Sequence, residues 1–438
     1  MSLVAVSALA VLLVFFAIGS HVAVALGLTA LVIGLWHIGE VWEFFGHIPW
    51  NVNSGSTLVI VPLFVLMGEI LLRSGITEEL YAVLARFTAR VPGGLLHTNI
   101  VASGLFASIC GSSVATASTI GAAAMPSMRR YGYDERLAVG SLASGGTLGI
   151  LIPPSIIMIV YGLLAEVSIG QLYIAAIVPG LLMMGAFMLV ILMIAIMSPE
   201  KAPRVNDRQA FAASRKQAAL AIAPTIALMM LVLGTIYLGI ATATEAAAFG
   251  ASGAFVVALA KGRVNASMLR AAFSATAATT GMIMLILVGA FLLQFVLSLT
   301  GIPVALSKWT VSLGLTEVQL ILLVCLIYLV LGMFLESLAM VVMTIPIIVP
   351  VLNAMAVDLV WFGIIVTIMV ELSLVTPPVG MNLFVMQSVR SRAESDDTTR
   401  PIADIYVGVL PFVTVMLIVV VAIVVWPSIA LYLVSAMK

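Results

Sequence analysis

Apolar runs of about 20 residues recur along the chain and are separated by short polar connections. As a helix, each run is long enough to cross a hydrocarbon layer about 30 Å thick. The first runs lie at 2–20, 22–36 and 57–73, and the stretch 74–91 that follows mixes apolar and polar residues at helical spacing. We therefore predict an all-α, polytopic membrane protein in which residues 74–91 lie along the membrane surface.

The composition supports the bilayer as the solvent of this chain. Hydrophobic residues make up 63% of its 438 residues and charged residues only 9%, whereas soluble domains are about half apolar and a quarter charged. The formal net charge is zero and no basic block occurs, which argues against nucleic acid as a partner. Cys110 and Cys325 lie inside apolar segments and do not indicate a disulfide framework. The first residues lack a basic n-region, so we expect a retained first helix rather than a signal peptide.

Lys and Arg cluster in five connections, which the positive-inside rule places in the cytoplasm. These connections are 73–90, 129–136, 201–216, 261–270 and 390–400. The connection 37–56 has no Lys or Arg but contains four interfacial aromatic residues, Trp42, Phe44, Phe45 and Trp50. It is therefore expected in the periplasm. This pattern predicts a bacterial inner membrane protein with both termini in the periplasm.

Two segments are unsuited to a single crossing. Residues 94–128 begin and end beside cytoplasmic connections and have small polar residues in the middle, and residues 317–356 have the same character between Lys-poor flanks. We predict two re-entrant helical hairpins that enter from opposite sides. Each is followed by a double proline, IPPS at 152–155 and TPPV at 376–379, which should break a helix near mid-membrane. This repeated order predicts inverted repeats of the kind found in secondary transporters.

The same pattern divides one transmembrane domain, residues 1–438, into scaffold and mobile parts. The predicted parts are scaffold helices with the interfacial helix at 1–93, the first hairpin and broken helix at 94–165, further scaffold helices at 166–316, the second hairpin and broken helix at 317–390, and a loop with the last helix at 391–438.

The interruptions predict a binding site, because non-helical backbone at membrane depth occurs only where protein or a water-filled cavity satisfies it. They read CGSSVATAST from 110, GGTLGILIPPS from 145, GMFLESLAM from 332 and TPPVGMN from 376. Ser, Thr and carbonyl oxygens suit a hard cation such as sodium. Half-helix C-termini favour a cation and N-termini favour a carboxylate. The residues expected to form the substrate cavity are Gly111, Ser113, Gly146, Thr147, Pro153, Ser337, Pro377, Pro378, Gly380 and Asn382.

The motifs GGTLGILIPPS and TPPVGMNLF, with the length and hydropathy, resemble the large membrane subunit of tripartite ATP-independent periplasmic (TRAP) transporters over essentially the whole chain. The resemblance implies sodium-coupled import of a carboxylate-type solute, an elevator-like motion, and no organic cofactor. It also implies two protein partners, a small four-helix membrane subunit and a periplasmic substrate-binding protein.

The resemblance also implies two sodium sites, at the hairpin tips and broken helices. Motif matching places the first at Cys110, Ser112, Gly149, Ile152 and Pro154. It places the second at Gly332, Glu336, Thr376 and Met381. Cys110 has a thiol where a hydroxyl is expected, so its backbone carbonyl is the implied ligand.

Each of these features also has a purely structural interpretation. The small residues 111–113 could serve only helix packing, and the prolines could only kink their helices. Glu336 is either a functional intramembrane carboxylate or the N-cap of the second hairpin arm, and the sequence leaves both readings open. Glu69, Glu245 and Glu371 also lie in apolar surroundings. We interpret these three as helix contacts or interface residues.

Three other functions compete with a tripartite transporter. One is a channel or purely structural subunit, which would not require two inverted, proline-broken units. A self-sufficient ion-coupled anion transporter would use similar hairpins without accessory subunits. An intramembrane enzyme is not indicated, because the sequence contains neither HExxH nor a paired-aspartate GxGD motif. No Lys or Arg falls at a predicted mid-membrane position, so no charged clamp for a substrate carboxylate is evident. The connections 37–56 and 300–316 are candidate docking surfaces for a binding protein.

Overall fold

The computed structural model describes residues 3–88, 91–203, 215–392 and 401–437. The described residues form twenty α-helices, one 3-10 helix and no strand, which confirms the all-α class. The α-helices are α1 (Leu3–Ala17), α2 (Val22–His37), α3 (Trp42–Ser54), α4 (Ile60–Arg73), α5 (Ile76–Thr88), α6 (Leu95–Cys110), α7 (Ser113–Arg130), α8 (Glu135–Leu151), α9 (Ile156–Leu164), α10 (Ile169–Met197), α11 (Arg215–Tyr237), α12 (Ala243–Ala260), α13 (Ala266–Leu299), α14 (Ile302–Ser312), α15 (Glu317–Gly332), α16 (Ser337–Ala354), α17 (Leu359–Leu374), α18 (Met381–Arg392), α19 (Ala403–Val425) and α20 (Ser428–Ser435). The 3-10 helix is Ser56–Val59.

Several helices have the length and composition of membrane spans. Six described helices qualify, or seven if α8 and α9, which are bent by 42° at their break, form one span. The longest, α13, has 34 residues and is about 51 Å long at 1.5 Å per residue, so it would tilt in a bilayer. Leu, Ile, Val and Phe side chains remain exposed on many outward faces, as expected where lipid replaces water as the solvent.

The helix interruptions fall within the segments that the sequence singled out. Helices α6 and α7 are joined by a two-residue turn, Gly111 and Ser112, and α15 and α16 by residues 333–336. Helices α8 and α9 are separated by residues 152–155, and α17 and α18 by residues 375–380. Re-entry into a membrane, the repeat relationship and the elevator motion stay predictions.

The two broken helices run antiparallel to each other. At one end, the Tyr161 hydroxyl of α9 donates to the Leu359 carbonyl at the start of α17, at 2.5 Å. At the other end, Arg390 near the end of α18 lies 4.0 Å from the carboxylate of Glu135 at the start of α8. The start of each broken helix therefore lies beside the end of the other.

Helix α8 lies at the centre of the helices that carry the interruptions, in contact with α6, α7, α17, α18 and α19. Its crossing with α19 depends on two glycines. A Cβ on Gly140 would lie 2.1 Å from the Gly408 carbonyl oxygen, and one on Gly408 would lie 2.0 Å from the Arg136 carbonyl oxygen. Only glycine permits the two backbones to approach this closely.

The predicted cytoplasmic connections contact each other in the structure. Glu79 of α5 forms ion pairs with Lys261 and Arg263, and the Asp134 amide donates to the Lys201 carbonyl at 2.9 Å. Parts of these connections, 89–90, 204–214 and 393–400, lie outside the described residues. The side of the membrane on which the connections lie, and the position of α5 at the membrane surface, stay predictions.

Candidate functional site

The turn between α6 and α7 packs against the first broken helix through backbone atoms. Gly111 adopts a left-handed conformation, with φ of 62°. A Cβ on this residue would lie 2.6 Å from the Pro154 carbonyl oxygen. Glycine is therefore required here for two reasons, the positive φ and the close approach.

The first predicted sodium site is brought together by this contact. Ser112 caps α7, because its hydroxyl accepts from the Ala115 amide at 3.4 Å. Its carbonyl oxygen accepts from the Thr116 hydroxyl at 2.7 Å and would lie 2.7 Å from a Cβ on Gly149. Cys110 is the last residue of α6 and is half-buried. Ile152 is the C-cap of α8, with its amide donating to the Leu148 carbonyl at 2.9 Å.

The second predicted sodium site draws on the second hairpin turn and the second break. Glu336 is the N-cap of α16, since its carboxylate accepts from the amides of Leu338 and Ala339 at 3.1 and 3.2 Å. The structure thus shows the capping role of Glu336, and its second carboxylate oxygen makes no hydrogen bond in this cap. Gly332 packs against α17 instead, where a Cβ would lie 2.0 Å from the Ser373 Cβ.

The second break is supported from two sides. The Thr376 hydroxyl donates to the Leu372 carbonyl at 2.6 Å, which closes the last turn of α17. The carbonyl of Pro378 accepts from the Tyr406 hydroxyl of α19 at 3.0 Å. Gly380 has a φ of 53°, and a Cβ there would lie 3.1 Å from the Thr376 carbonyl oxygen.

A cavity of about 170 Å³ lies where the two hairpin turns and both breaks meet. The predicted site residues in its lining are Gly111, Ser112, Ser113, Glu336, Ser337 and Met381. Its apolar lining includes Ile150 and Ile156 on either side of the first break and Leu374 before the second. The cavity therefore joins residues of both predicted sodium sites in one space.

Several predicted cavity residues lie elsewhere in the packing. Gly146 faces hairpin helix α7, where its Cβ would lie 2.6 Å from the Ala117 Cβ. Thr147 is fully buried and donates to the Ser144 carbonyl at 2.7 Å within α8. The lining of this cavity also does not include Pro153, Pro377, Pro378, Gly380 and Asn382. These residues shape the breaks and the helix contacts around the cavity.

Asn382 joins three of the elements that surround the cavity. Its amide nitrogen donates to the Ser113 hydroxyl at 2.7 Å and to the Ala143 carbonyl at 3.1 Å. The side chain is fully buried. It therefore ties the start of α18 to α7 and to α8.

Sequence reasoning missed the contribution of α13, which was assigned to the scaffold. Thr279, Met282 and Ile283 of this helix line the cavity. Thr276, Thr279 and Thr280 are polar positions near the middle of this helix. These three threonines were a sequence signal that could have indicated a cavity-facing side.

The first predicted site brings backbone carbonyl oxygens close together. Gly111 and Gly149 let backbone carbonyls approach closely, because a Cβ on Gly111 would lie 2.6 Å from the Pro154 carbonyl oxygen and one on Gly149 would lie 2.7 Å from the Ser112 carbonyl oxygen. Carbonyl and hydroxyl oxygens are ligands for hard cations. Among the residues that the structure describes, no group of three or more His, Cys, Asp or Glu side chains could hold a metal ion, so a sodium ion at the predicted site would need backbone and hydroxyl oxygens as its ligands.

Helix interruptions around one cavity, in a chain with several helices long and apolar enough to span a membrane, are typical of multi-pass membrane transport proteins. A family model described as "Tripartite ATP-independent periplasmic transporter, DctM component" matches residues 9–429. The chain belongs to this family and is a TRAP transporter large permease.

Named relatives agree with this assignment, and one solved structure has a similar fold. The chain is 34% identical over 385 residues to the C4-dicarboxylate TRAP transporter large permease protein DctM of Pseudomonas aeruginosa, with 87% of each chain covered. It is 31% identical over 381 residues to the sialic acid TRAP transporter large permease protein SiaM of Vibrio cholerae, with 86% of each covered. The YdaH transporter of Alcanivorax borkumensis has a similar fold, with a TM-score of 0.70, 16% identity, and coverage of 96% of this chain and 99% of that one.

Proposed function

We propose that this permease imports a small carboxylate-bearing solute across the bacterial inner membrane, coupled to sodium. We further propose that it works with a small four-helix membrane subunit and a periplasmic substrate-binding protein. The observation that supports this most strongly is the single cavity shared by both hairpin turns and both helix breaks.

Four helix N-termini favour an anionic solute in this cavity. Helices α7, α9, α16 and α18 begin at Ser113, Ile156, Ser337 and Met381, and all four of these residues line it. Helix N-termini carry partial positive charge and free backbone amides, which suit a carboxylate. No Lys or Arg occurs among the lining residues. Recognition of a carboxylate would therefore rely on backbone amides and on the hydroxyls of Ser112 and Ser113.

The opposite helix ends favour a cation. Helices α6 and α8 end beside the first break and α15 and α17 beside the second, and helix C-termini carry partial negative charge. The carboxylate of Glu336 adds a full negative charge to the cavity wall. Bound sodium would supply the positive charge that lets an anionic solute lie beside this carboxylate. The residues that would hold it are those of the two motif-matched sites.

Exposed aromatic side chains support the proposed docking surface for a binding protein. Trp42 and Trp50 of α3 are 65% and 72% exposed, and Trp309 of α14 is 57% exposed. Both helices pack against α13, with the Phe44 and Phe295 rings 4.5 Å apart. Charge reversal at Glu40, Glu43 and Lys308 should reduce uptake driven by the binding protein; unchanged uptake would contradict this surface.

The function is tested by solute uptake into proteoliposomes that hold this chain, the small membrane subunit and the binding protein. A C4-dicarboxylate and sialic acid are the first solutes to test, because two relatives are named as permeases for these solutes. Uptake should require an inward sodium gradient and all three components. Uptake by this chain alone would favour the self-sufficient transporter, and uptake that ignores sodium would contradict the coupling.

The sodium sites are tested by removing hydroxyls from their proposed ligands. Ser112→Ala and Thr376→Ala should weaken sodium activation while the protein remains folded. Because Ser112 also caps α7, Ser168→Ala is the matched control: it removes an equivalent cap, a 3.4 Å bond to the Gln171 amide at the start of α10. Sodium activation that is normal in both Ser112→Ala and Thr376→Ala would contradict the assigned sites.

A further inference from the structure

Glu371 of α17 is a carboxyl that neither proposed sodium site uses. Its side chain is 0% exposed, and neither oxygen makes a hydrogen bond to a described residue. Other glutamates in apolar surroundings have partners, since Glu69 pairs with Arg73 at 2.9 Å and Glu245 takes part in a capping box. An ionised carboxylate without a partner is strongly disfavoured in an apolar interior.

The polar surroundings of Glu371 have opposing effects on a negative charge. The polar group that faces its carboxyl is the backbone of Leu151, the last residue of α8. Its own helix, α17, ends one turn further on, at Leu374. The C-termini of two helices therefore lie near this side chain, and their partial negative charges disfavour an anion, whereas the Leu151 backbone itself favours one. Burial without a hydrogen-bonded partner is therefore the main reason for a neutral carboxyl.

Basic side chains on the neighbouring helices lie too far away to neutralise Glu371. Arg136 and Glu135 are at the start of α8, which has 17 residues and so is about 24 Å long. Arg390 lies beside Glu135, and Arg136 pairs with Asp404 of α19 at 2.8 Å. All of these groups therefore cluster at the far end of α8 from Leu151.

The remaining titratable groups on elements packed against α17 supply no positive charge nearby. Helix α10 contains no charged residue. The others are Asp358 and Glu317 at the starts of α17 and α15, Glu336 at the cap of α16, Arg392 at the end of α18, and the phenols of Tyr161, Tyr173, Tyr328, Tyr406 and Tyr432 with the thiol of Cys325.

We propose that Glu371 is a proton-binding site, and that the transport-competent packing of the two broken helices requires its protonated form. Ile150 is next to Leu151 in α8, and Leu374 lies one turn after Glu371 in α17. Both residues line the cavity. Ionisation would place a charge between α8 and α17, draw in water and move this wall of the cavity. The effect on transport rests on the proposed function, whereas the proton binding does not.

Thermal unfolding against pH tests the proton binding without any transport. The interval runs from about pH 5.5 to about pH 9, over which an isolated glutamate is ionised. If only the folded state holds the proton, the folding equilibrium constant of the wild type should fall as the pH rises. The fall should be up to about tenfold per pH unit steeper than in Glu371→Gln. Glu371→Met, also neutral, is a second variant, and Glu200→Gln, at an exposed position, is the matched control. Equal pH dependence in the wild type and both neutral variants would overturn the proposal.

Uptake against pH then tests whether the proton matters for transport. At a fixed sodium gradient, wild-type uptake should fall toward alkaline pH, while Glu371→Gln uptake should stay level and exceed it there. The same pH profile in both proteins, or a folded Glu371→Gln protein with no uptake at any pH, would overturn the proposal. Uptake that needs no sodium would contradict the proposed coupling instead and would leave the unfolding comparison intact.

Discussion

Replacing Gly111 by alanine should weaken sodium activation of transport by a predictable amount. The left-handed φ of 62° disfavours a Cβ by about 1–2 kcal/mol. The new Cβ would also lie 2.6 Å from the Pro154 carbonyl oxygen, closer than real Cβ atoms approach, and overpacking of this kind costs about 1–3 kcal/mol. The turn must then move away from the first break by several tenths of an ångström.

This movement would separate the carbonyls that border the first predicted sodium site. Because 1.4 kcal/mol corresponds to a factor of ten in affinity, we expect the half-activating sodium concentration to rise about tenfold or more in Gly111→Ala. The assay is the initial rate of solute uptake into proteoliposomes across a series of sodium concentrations. Thermal stabilisation of the purified protein by sodium should weaken in parallel.

Gly132→Ala is the matched control for this experiment. Gly132 has a similar φ of 70°, but a Cβ there would meet nothing within 4 Å. It therefore shares the backbone strain without the contact, and sodium activation should stay normal. Wild-type activation in Gly111→Ala, or an equal loss in Gly132→Ala, would refute the reasoning.

Three further substitutions test the packing around the cavity. Asn382→Ala, which removes the bonds to α7 and α8, should destabilise the protein by about 1–3 kcal/mol in thermal unfolding, whereas Ser388→Ala, which breaks a bond within α18 at an exposed position, should not. Glu336→Gln keeps an acceptor for the α16 cap but removes the charge, so we expect a normal melting temperature with weakened sodium activation. Unchanged sodium activation would show that Glu336 serves only as the cap. Gly408→Ala should prevent the close α8–α19 crossing and abolish stable expression, unlike Gly281→Ala, which meets nothing within 4 Å.

The sequence alone determined the class of the protein and the positions of its interruptions. Apolar length and composition are local properties, and they predict membrane helices without knowledge of their neighbours. The double prolines act on their own helices for the same reason, so both breaks lie where the motifs predicted. The capping of α16 by Glu336 was also one of the two readings open from sequence, since an N-cap depends on residues within one turn.

Only the tertiary structure decided which residues share the cavity. Asn382 reaches Ser113 and Ala143, residues far away in sequence, and α13 contributes Thr279 although it was assigned to the scaffold. Glu371 was interpreted as a helix contact or interface residue, but the structure buries it without a hydrogen-bonding partner among the described residues. These outcomes depend on how whole helices pack, and the helix periodicity that places a residue on a face does not say which neighbour covers that face.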